Sequence, residues 1–196
     1  MRTRVLLTGF GLILASLGPF LVGTATSNAQ TRRKMLLAAV EEIVLERVNF
    51  EREQHGLSPL ELEPDLTRIA RIHSVDMLEQ EFFSHTNPRG QGPAERVAQR
   101  HRTLVGTTAE NIWMGIRGEL VEVPELARDI MDGLMSSEGH RRNILAEGIT
   151  HIGIGIYSSA GRAFMSTEIT ATQLFAKVQG YTLEPVPEVL RWGRSI

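Results

Sequence analysis

The stretch HIGIGI, residues 151–156, places an isoleucine at every second position and a glycine at two of the positions between them. Strict alternation of this kind is typical of a β-strand with one apolar face. Residues 158–161 predict a turn, and residues 163–177 predict a second strand that returns beside the first. Because two strands alone are only marginally stable, we expect helices to cover this hairpin.

Helical patterns fill most of the chain before the hairpin. Apolar residues recur at helical spacing, and glycine or proline punctuates the segments. A run of helices followed by an antiparallel hairpin predicts a layered α+β domain. The predicted segments are helices over residues 31–55, Asp65–Gln80 with Asp65 as N-cap, Pro93–Gln99 and Pro124–Ser136, a loop over 83–92 and an irregular stretch over 101–119.

Composition excludes several classes of site. The 196 residues include no cysteine, so disulfides, thiolate zinc sites and thiol nucleophiles are absent. The formal net charge is −2 and there is no long basic run. Nucleic acid is therefore not an expected partner.

The first residues resemble an export signal. Arg2 and Arg4 precede an apolar segment over residues 5–22, and Ser27-Asn28-Ala29 supplies small residues at the positions that a signal peptidase reads. We expect residues 1–29 to be a signal peptide cleaved after Ala29, which makes the protein secreted or periplasmic. The alternative is an uncleaved anchor, which would be the protein's only contact with a membrane.

Three separated segments carry residues suited to chemistry. They are Phe83-Ser84-His85, Ala109-Glu110-Asn111-Ile112 and the stretch from Glu138 to Leu145, which contains His140. Neutral imidazoles together with carboxylates are ligands that suit zinc or a similar divalent metal. Each segment taken alone is a weak indication of a site.

The order of the motifs along residues 36–176 is more specific than any one of them. In order they are Asn49-x-x-Arg52, His73-Ser74-x-Asp76-Met77, Phe83-Ser84-His85, Glu110-Asn111-Ile112, Gly139-His140-Arg141-x-Asn143, Ile152-Gly153-Ile154-Gly155 and Thr172-Gln173-x-Phe175. This series resembles the bacterial, cysteine-free branch of the CAP or SCP domain family. That family also includes cysteine-rich secretory proteins, antigen-5 proteins and plant pathogenesis-related proteins.

The resemblance implies an architecture. CAP domains are three-layer α-β-α sandwiches in which a central antiparallel sheet lies between helical layers. On this basis we expect a CAP-like domain over residues 30–178 and a C-terminal extension over residues 179–196.

The resemblance also implies a cleft. By position, the histidines that can hold zinc in many members fall on His85 and His140, and the first glutamate of the family falls on Glu110. The second acidic position falls on Ser137, with Glu138 beside it. We therefore expect a binding cleft of these five residues, with zinc or another divalent metal on the two histidines.

Three functions remain open from the sequence. The first is a monomeric binding module for a small apolar or cell-envelope ligand, since sterol and lipid binding are attributed to some family members. The second is a hydrolase that uses water on a metal held by His85 and His140, with Glu110 as general base. The third is a structural envelope protein. The chain has neither an H-E-x-x-H helix nor a G-x-S-x-G elbow, which are two common sequence signatures of hydrolases. The sequence therefore favours a function other than hydrolysis.

Overall fold

The computed structural model describes residues 20–100, 108–117, 122–159 and 167–177. Contacts divide the chain into residues 1–34 and residues 35–196, and the layers described below belong to the second unit. The predicted extension over 179–196 and residues 1–19 of the predicted signal lie outside the described residues. The elements are α1 (Phe20–Gln54), β1 (Glu61–Leu62), α2 (Pro64–Glu79), α3 (Pro93–Arg100), β2 (Thr108–Arg117), α4 (Val123–Ser136), α5 (Glu138–Ile144), β3 (His151–Ser158) and β4 (Thr167–Ala176).

The four strands form one sheet in the order β1-β3-β4-β2. The three long strands are antiparallel, with Gly153 opposite Leu174 and Glu110 opposite the same leucine from the other side. Two residues of β1 pair with β3 in parallel. The predicted hairpin is confirmed as β3 and β4, and the mixed α+β fold with a mainly antiparallel sheet agrees with the expectation.

One face of the sheet is covered by α2, and the glycines of β3 allow the close approach. A Cβ atom on Gly153 would lie 2.1 Å from the carbonyl carbon of Leu66, and one on Gly155 would lie 2.1 Å from the amide nitrogen of Arg71. Both distances are far inside van der Waals contact. The glycines between the isoleucines therefore set the distance between α2 and the sheet.

The isoleucines of β3 point to the opposite face, where α1, α4 and α5 cover the sheet. This face forms the larger apolar core, in which Val44, Val48 and Ile130 are fully buried. The smaller core under α2 contains Leu66, Ile69, Ala70, Val97, Leu174 and Ala176. Helices on both faces of one sheet give the three layers that the family resemblance implied.

Two helix starts differ from the prediction. Helix α1 includes residues 20–30, ahead of the predicted start at residue 31, and it therefore runs through the expected cleavage position at Ala29. Helix α2 has Glu63, not Asp65, as its N-cap, because Pro64 occupies the first helical position and the Glu63 carboxylate accepts a hydrogen bond from the Leu66 amide. Within the described part of the chain, no helix has the length and apolar character needed to cross a bilayer.

The irregular stretch predicted over residues 101–119 is wrong for residues 108–117, which form the longest strand pairing in the sheet. Because Glu110, Asn111 and the glycine at 115 interrupt the alternation of apolar residues, the sequence pattern did not predict this strand. Glu110 and Asn111 are nevertheless buried, because tertiary contacts satisfy their polar groups. A strand with polar residues facing inwards is recognised only when those partners are known.

Arg52 fixes α5, which carries His140, to the end of α1. The guanidinium is only 2% exposed and donates to the carbonyl oxygens of Ser58 at 2.8 Å, Ile144 at 2.7 Å and Ala146 at 3.0 Å. Donors of a planar guanidinium satisfy several carbonyls at once. The C-terminal end of α5 is therefore held in place by a residue from a distant helix.

Helix α2 also buries polar side chains. Ser74 donates to the Gly155 carbonyl at 2.8 Å, and His73 is fully buried, with Nε2 3.0 Å from the Ser84 carbonyl oxygen. Burial lowers the pKa of His73, against the opposing attraction of the nearby Glu110 carboxylate. His73 is thus a buried imidazole that is neutral at pH 7.

Gly155→Ala should destabilise the fold. The added methyl group would meet the backbone of α2, which cannot give way without moving the helix, so we expect a loss of about 1–3 kcal/mol in the free energy of unfolding. Gly139→Ala is the matched control, because the closest atom to its Cβ would be a flexible Arg142 nitrogen at 4.0 Å. Urea unfolding of both variants measures the difference, and an equal stability for the two would contradict the close-approach argument.

His73 should make the protein less stable as the pH falls. Its folded pKa lies below the unfolded value of about 6.5, so between the two values the unfolded chain binds a proton that the folded chain excludes. The free energy of unfolding should decrease as the pH drops below about 6.5, by at most about 1.4 kcal/mol per pH unit from this group. Urea unfolding from about pH 7.5 to about pH 5 should show a flatter dependence in His73→Gln. Parallel curves for the two proteins would rule the effect out.

Candidate functional site

Glu110 on β2 lies at the centre of a group of charged and titratable side chains. Its side chain is only 1% exposed. One carboxylate oxygen, Oε1, is 3.0 Å from Nδ1 of His85, and the other, Oε2, is 2.5 Å from Nη2 of Arg96. A buried carboxylate needs such partners, because desolvation of an unpaired charge is costly.

Arg96 on α3 holds the loop that carries His85. Its Nη1 donates to the carbonyl oxygens of His85 and Gln91, both at 2.8 Å, while Nη2 binds Glu110. The guanidinium therefore binds both the backbone of His85 and the carboxylate that His85 contacts. Arg96 is 6% exposed, and its interactions close a ring from α3 through the loop to β2.

The loop is stabilised further by Asn87. Its side-chain oxygen accepts from the amides of Arg89 at 3.1 Å and Gln91 at 3.0 Å, and its side-chain nitrogen donates to the Gln91 side chain at 2.8 Å. Asparagine commonly binds the backbone in this way in turns. His85 is thus presented by an ordered turn rather than by a long mobile loop.

The tautomers of His85 and His73 follow from their partners. The Glu110 carboxylate accepts from Nδ1 of His85, so a neutral His85 carries its lone pair on Nε2. The Ser84 carbonyl can only accept, so Nε2 of His73 donates to it and its Nδ1 has no proton. His73 Nε2 is also 3.8 Å from Glu110 Oε1, but burial favours the neutral ring, so the contact is not an ion pair.

His85 and His73 therefore face different environments. The side chain of His85 is 50% exposed, whereas that of His73 is fully buried and has Phe82 beside it, with ring centroids 5.9 Å apart. His85 offers Nε2 to a ligand from solvent. His73 lies beside Glu110 inside the protein, with its Nε2 3.8 Å from the carboxylate.

His140 enters the site from α5. Burial lowers its pKa, and the neighbouring His85 lowers it further through charge repulsion. The ring is partly buried, and Nδ1 is a buried atom without a hydrogen-bond partner among the described residues. His140 is consequently a neutral imidazole with one nitrogen whose bonding potential the described part of the protein does not use.

Two asparagines connect α5 to β2. Asn111 donates to the His140 carbonyl at 3.0 Å, and Asn143 donates to the Glu110 carbonyl at 3.3 Å and to the Asn111 side chain at 2.8 Å. Successive residues of a strand point to opposite faces, so Glu110 and Asn111 belong to opposite sides of the sheet. Because β2 is the last strand in the sheet order, α5 can reach His85 around its edge.

Of the five predicted cleft residues, His85 contacts Glu110 directly, and His140 lies near enough to His85 for the charge of that ring to lower its pKa. Ser137 links α4 to α5, where its carbonyl accepts from the Arg141 amide at 2.9 Å. Glu138 is not brought to the cluster: its side chain is 76% exposed and pairs with Arg142 at 3.1 Å. One position along a helix start turns a side chain by about 100°, which separates Glu138 from the cleft.

The cluster offers few ligands for a divalent metal. Within the described ranges, no three His, Cys, Asp or Glu side chains are grouped to hold a metal ion. Glu110 is already bound by Arg96 and His85, which makes it a partner that orients an imidazole rather than a ligand. The donors that fit a metal are thus the two imidazoles of His85 and His140, the latter with its unpartnered nitrogen.

Sequence reasoning missed Arg96 and His73. Arg96 lies in a short polar helix, and no local feature distinguishes it from Arg100 four residues later. His73 lies on the buried face of α2, and its proximity to Glu110 depends on how α2 crosses the sheet. For the link between β2 and α5, the sequence offered only the presence of Asn111 and Asn143 in two of the family motifs.

Comparison with known proteins gives the family of this fold. A family model described as CAP, the cysteine-rich secretory protein family, matches residues 45–175. The uncharacterized protein YkwD of Bacillus subtilis (strain 168) is 34% identical over 133 residues, which cover 68% of this chain and 48% of that protein. The uncharacterized membrane protein YlbC of the same organism is 30% identical over 63% of this chain and 33% of its own length. The chain therefore spans half or less of the curated relatives it matches.

Solved structures show the same fold. An extracellular protein containing an SCP domain from Bacillus anthracis str. Ames is 25% identical, with a TM-score of 0.54 over 70% of this chain and 40% of that one. An outer surface protein from Borrelia burgdorferi is 18% identical, with a TM-score of 0.57 over 71% of this chain and 93% of that one. The family match over two thirds of the sequence, together with this fold, shows that the chain belongs to the CAP, or cysteine-rich secretory protein, family, as a member without cysteine.

Proposed function

We propose that this protein works outside the cytoplasm as a binding module, and that the group of His85, Glu110 and His140 binds a small ligand of the cell envelope. The expected signal peptide and the extracellular SCP-domain protein of Bacillus anthracis support the location. The convergence of the three side chains supports the site.

The environment of the Glu110 carboxylate favours a binding function over a catalytic one. Both carboxylate oxygens of Glu110 are occupied, one by His85 and one by Arg96, and the side chain is 1% exposed. A general base must reach the proton that it removes, directly or through one water. Glu110 in this arrangement instead fixes the position and tautomer of His85.

Exposed apolar side chains farther along β2 and in the loop of His85 indicate the character of the ligand. Met114 and Ile116 share the face of β2 on which Glu110 lies, and they are 38% and 60% exposed. Phe83, two residues before His85, is 48% exposed. A ligand with an apolar part and a group that hydrogen-bonds to imidazole would fit this surface.

A divalent metal such as zinc is a second candidate for the same imidazoles, and a specific observation favours it. The Glu110 carboxylate orients His85 through Nδ1, which is the arrangement common behind metal-bound histidines, and Nδ1 of His140 is unpartnered among the described residues. A bound metal would supply a Lewis acid that coordinates an oxygen or nitrogen atom of the ligand. With two protein ligands, we expect modest affinity.

The binding proposal predicts a co-purifying small molecule. Native mass spectrometry of protein released into the medium or periplasm should show a mass above that of the polypeptide, which diminishes in His85→Ala. His55→Ala is the matched control, because His55 is an exposed histidine bonded to its own helix at Glu51. An apo spectrum, together with no thermal shift on addition of lipid or cell-wall fragments, would remove the proposal.

The metal proposal predicts zinc binding that depends on two imidazoles. Calorimetry should give a single site that is weakened at least about tenfold by His85→Ala or His140→Ala and unchanged by His55→Ala. Since both rings must be neutral, affinity should fall below about pH 6, and the lowered pKa of His140 delays its own protonation to more acid solution. If the double variant His85→Ala, His140→Ala binds zinc as tightly as the original protein does, this assignment of the metal ligands is wrong.

A further inference from the structure

A separate cavity lies on the other side of Arg96, between α2, the turn at residues 87–91 and α3. Its volume is about 140 Å³, enough for about four or five water molecules. Its lining does not include His85, Glu110 or His140, so it is distinct from the histidine cleft.

Charge in the lining is predominantly positive. Arg89, Arg96 and Arg100 contribute three guanidinium groups, against the single carboxylate of Asp76. Asp76 is itself engaged by Arg89 at 3.5 Å and by the side-chain amide of Gln80 at 3.0 Å. Arg96 is also paired with Glu110, which does not line the cavity, so three guanidinium groups are set against two carboxylates and the lining keeps an excess of positive charge.

The remaining lining is neutral. The side chains of Gln91 and Gln99 add amide groups, and Ile69 and Ile72 of α2 form an apolar side. This combination suits a small molecule that has an anionic group at one end and a short apolar portion at the other.

Arg96 lines the cavity and has one donor that the described residues leave unpaired. The residue is 6% exposed, and its Nε is a buried donor without a hydrogen-bond partner among the residues described, although both Nη atoms are bonded. Buried donors are rarely left unpaired in folded proteins. Because that Nε is itself closed to solvent, an anion in the cavity would act on Arg96 through the charge of its guanidinium.

We propose that this cavity binds the carboxylate or phosphate group of a small ligand, through Arg89 and Arg100 at its rim and Arg96 at its base. Guanidinium groups suit both anions because their planar donors match the spacing of two oxygen atoms. Arg96 also binds Glu110 and the backbone of His85. An anion bound in the cavity and the histidine cleft would therefore be separated by the Arg96 side chain.

This inference does not rest on the proposed function, since it concerns different lining residues and a ligand group that needs no metal. Its experiment is an NMR and calorimetric titration of the metal-free protein with inorganic phosphate and, separately, with acetate. Sodium chloride keeps the ionic strength constant, so general screening is the same in every sample.

We expect saturable binding of at least one anion, with the largest amide shifts in residues 87–91. Arg89→Gln and Arg100→Gln should each weaken it about tenfold, which is the loss of one charge-assisted hydrogen bond. Arg141→Gln is the matched control, because Arg141 is exposed on α5 and does not line the cavity. Arg96 is left unchanged because its loss would also release Glu110.

The two anions distinguish the sources of the group. Binding of phosphate alone identifies a phosphorylated ligand, binding of acetate alone identifies a carboxylate, and binding of both supports the shared anion site. The proposal is overturned if neither anion saturates the protein beyond chloride. It is equally overturned if the Arg89→Gln, Arg100→Gln double variant, with an unchanged thermal melting curve, binds as the original protein does.

Discussion

The buried carboxylate of Glu110 is the constraint on which the site depends. A carboxylate removed from water must be neutralised and hydrogen-bonded, and removing one partner of such a pair costs about 3–5 kcal/mol. Arg96 supplies the charge and His85 supplies a second hydrogen bond. The loop after α2, the short helix α3 and the strand β2 are therefore held together by one acid and its partners.

Packing on both sides of the sheet gives Glu110 and His140 their neighbours. The glycines of β3 let α2 lie directly on the sheet, so His73 at 3.8 Å and His85 at 3.0 Å approach the same carboxylate oxygen. On the other side, neutral hydrogen bonds from two asparagines connect β2 to α5 and place a neutral His140 near His85. The imidazole of His85 is thus oriented by a charged network, whereas for His140 it is the backbone that the asparagine side chain fixes.

Much of the fold was predictable because it depends on local pattern. The alternation in residues 151–156 predicted β3, and apolar spacing with proline and glycine boundaries predicted α2, α3 and α4 to within one or two residues. Strand β2 was not predictable in this way, since its buried polar residues Glu110 and Asn111 do not follow an apolar alternation. The N-cap of α2 also differed, because neighbouring residues can serve as a helix boundary.

The sequence by itself determined the motif order, the absence of thiol chemistry and the candidates His85, Glu110 and His140. Only the tertiary structure decided that Arg96 and His73 surround Glu110 and that Glu138 faces solvent instead of the cleft. The physical reason is that the contacts of the buried carboxylate join residues far apart along the chain, 14 positions for Arg96 and 25 positions for His85. Local spacing along a helix or strand carries no information about contacts at such separations.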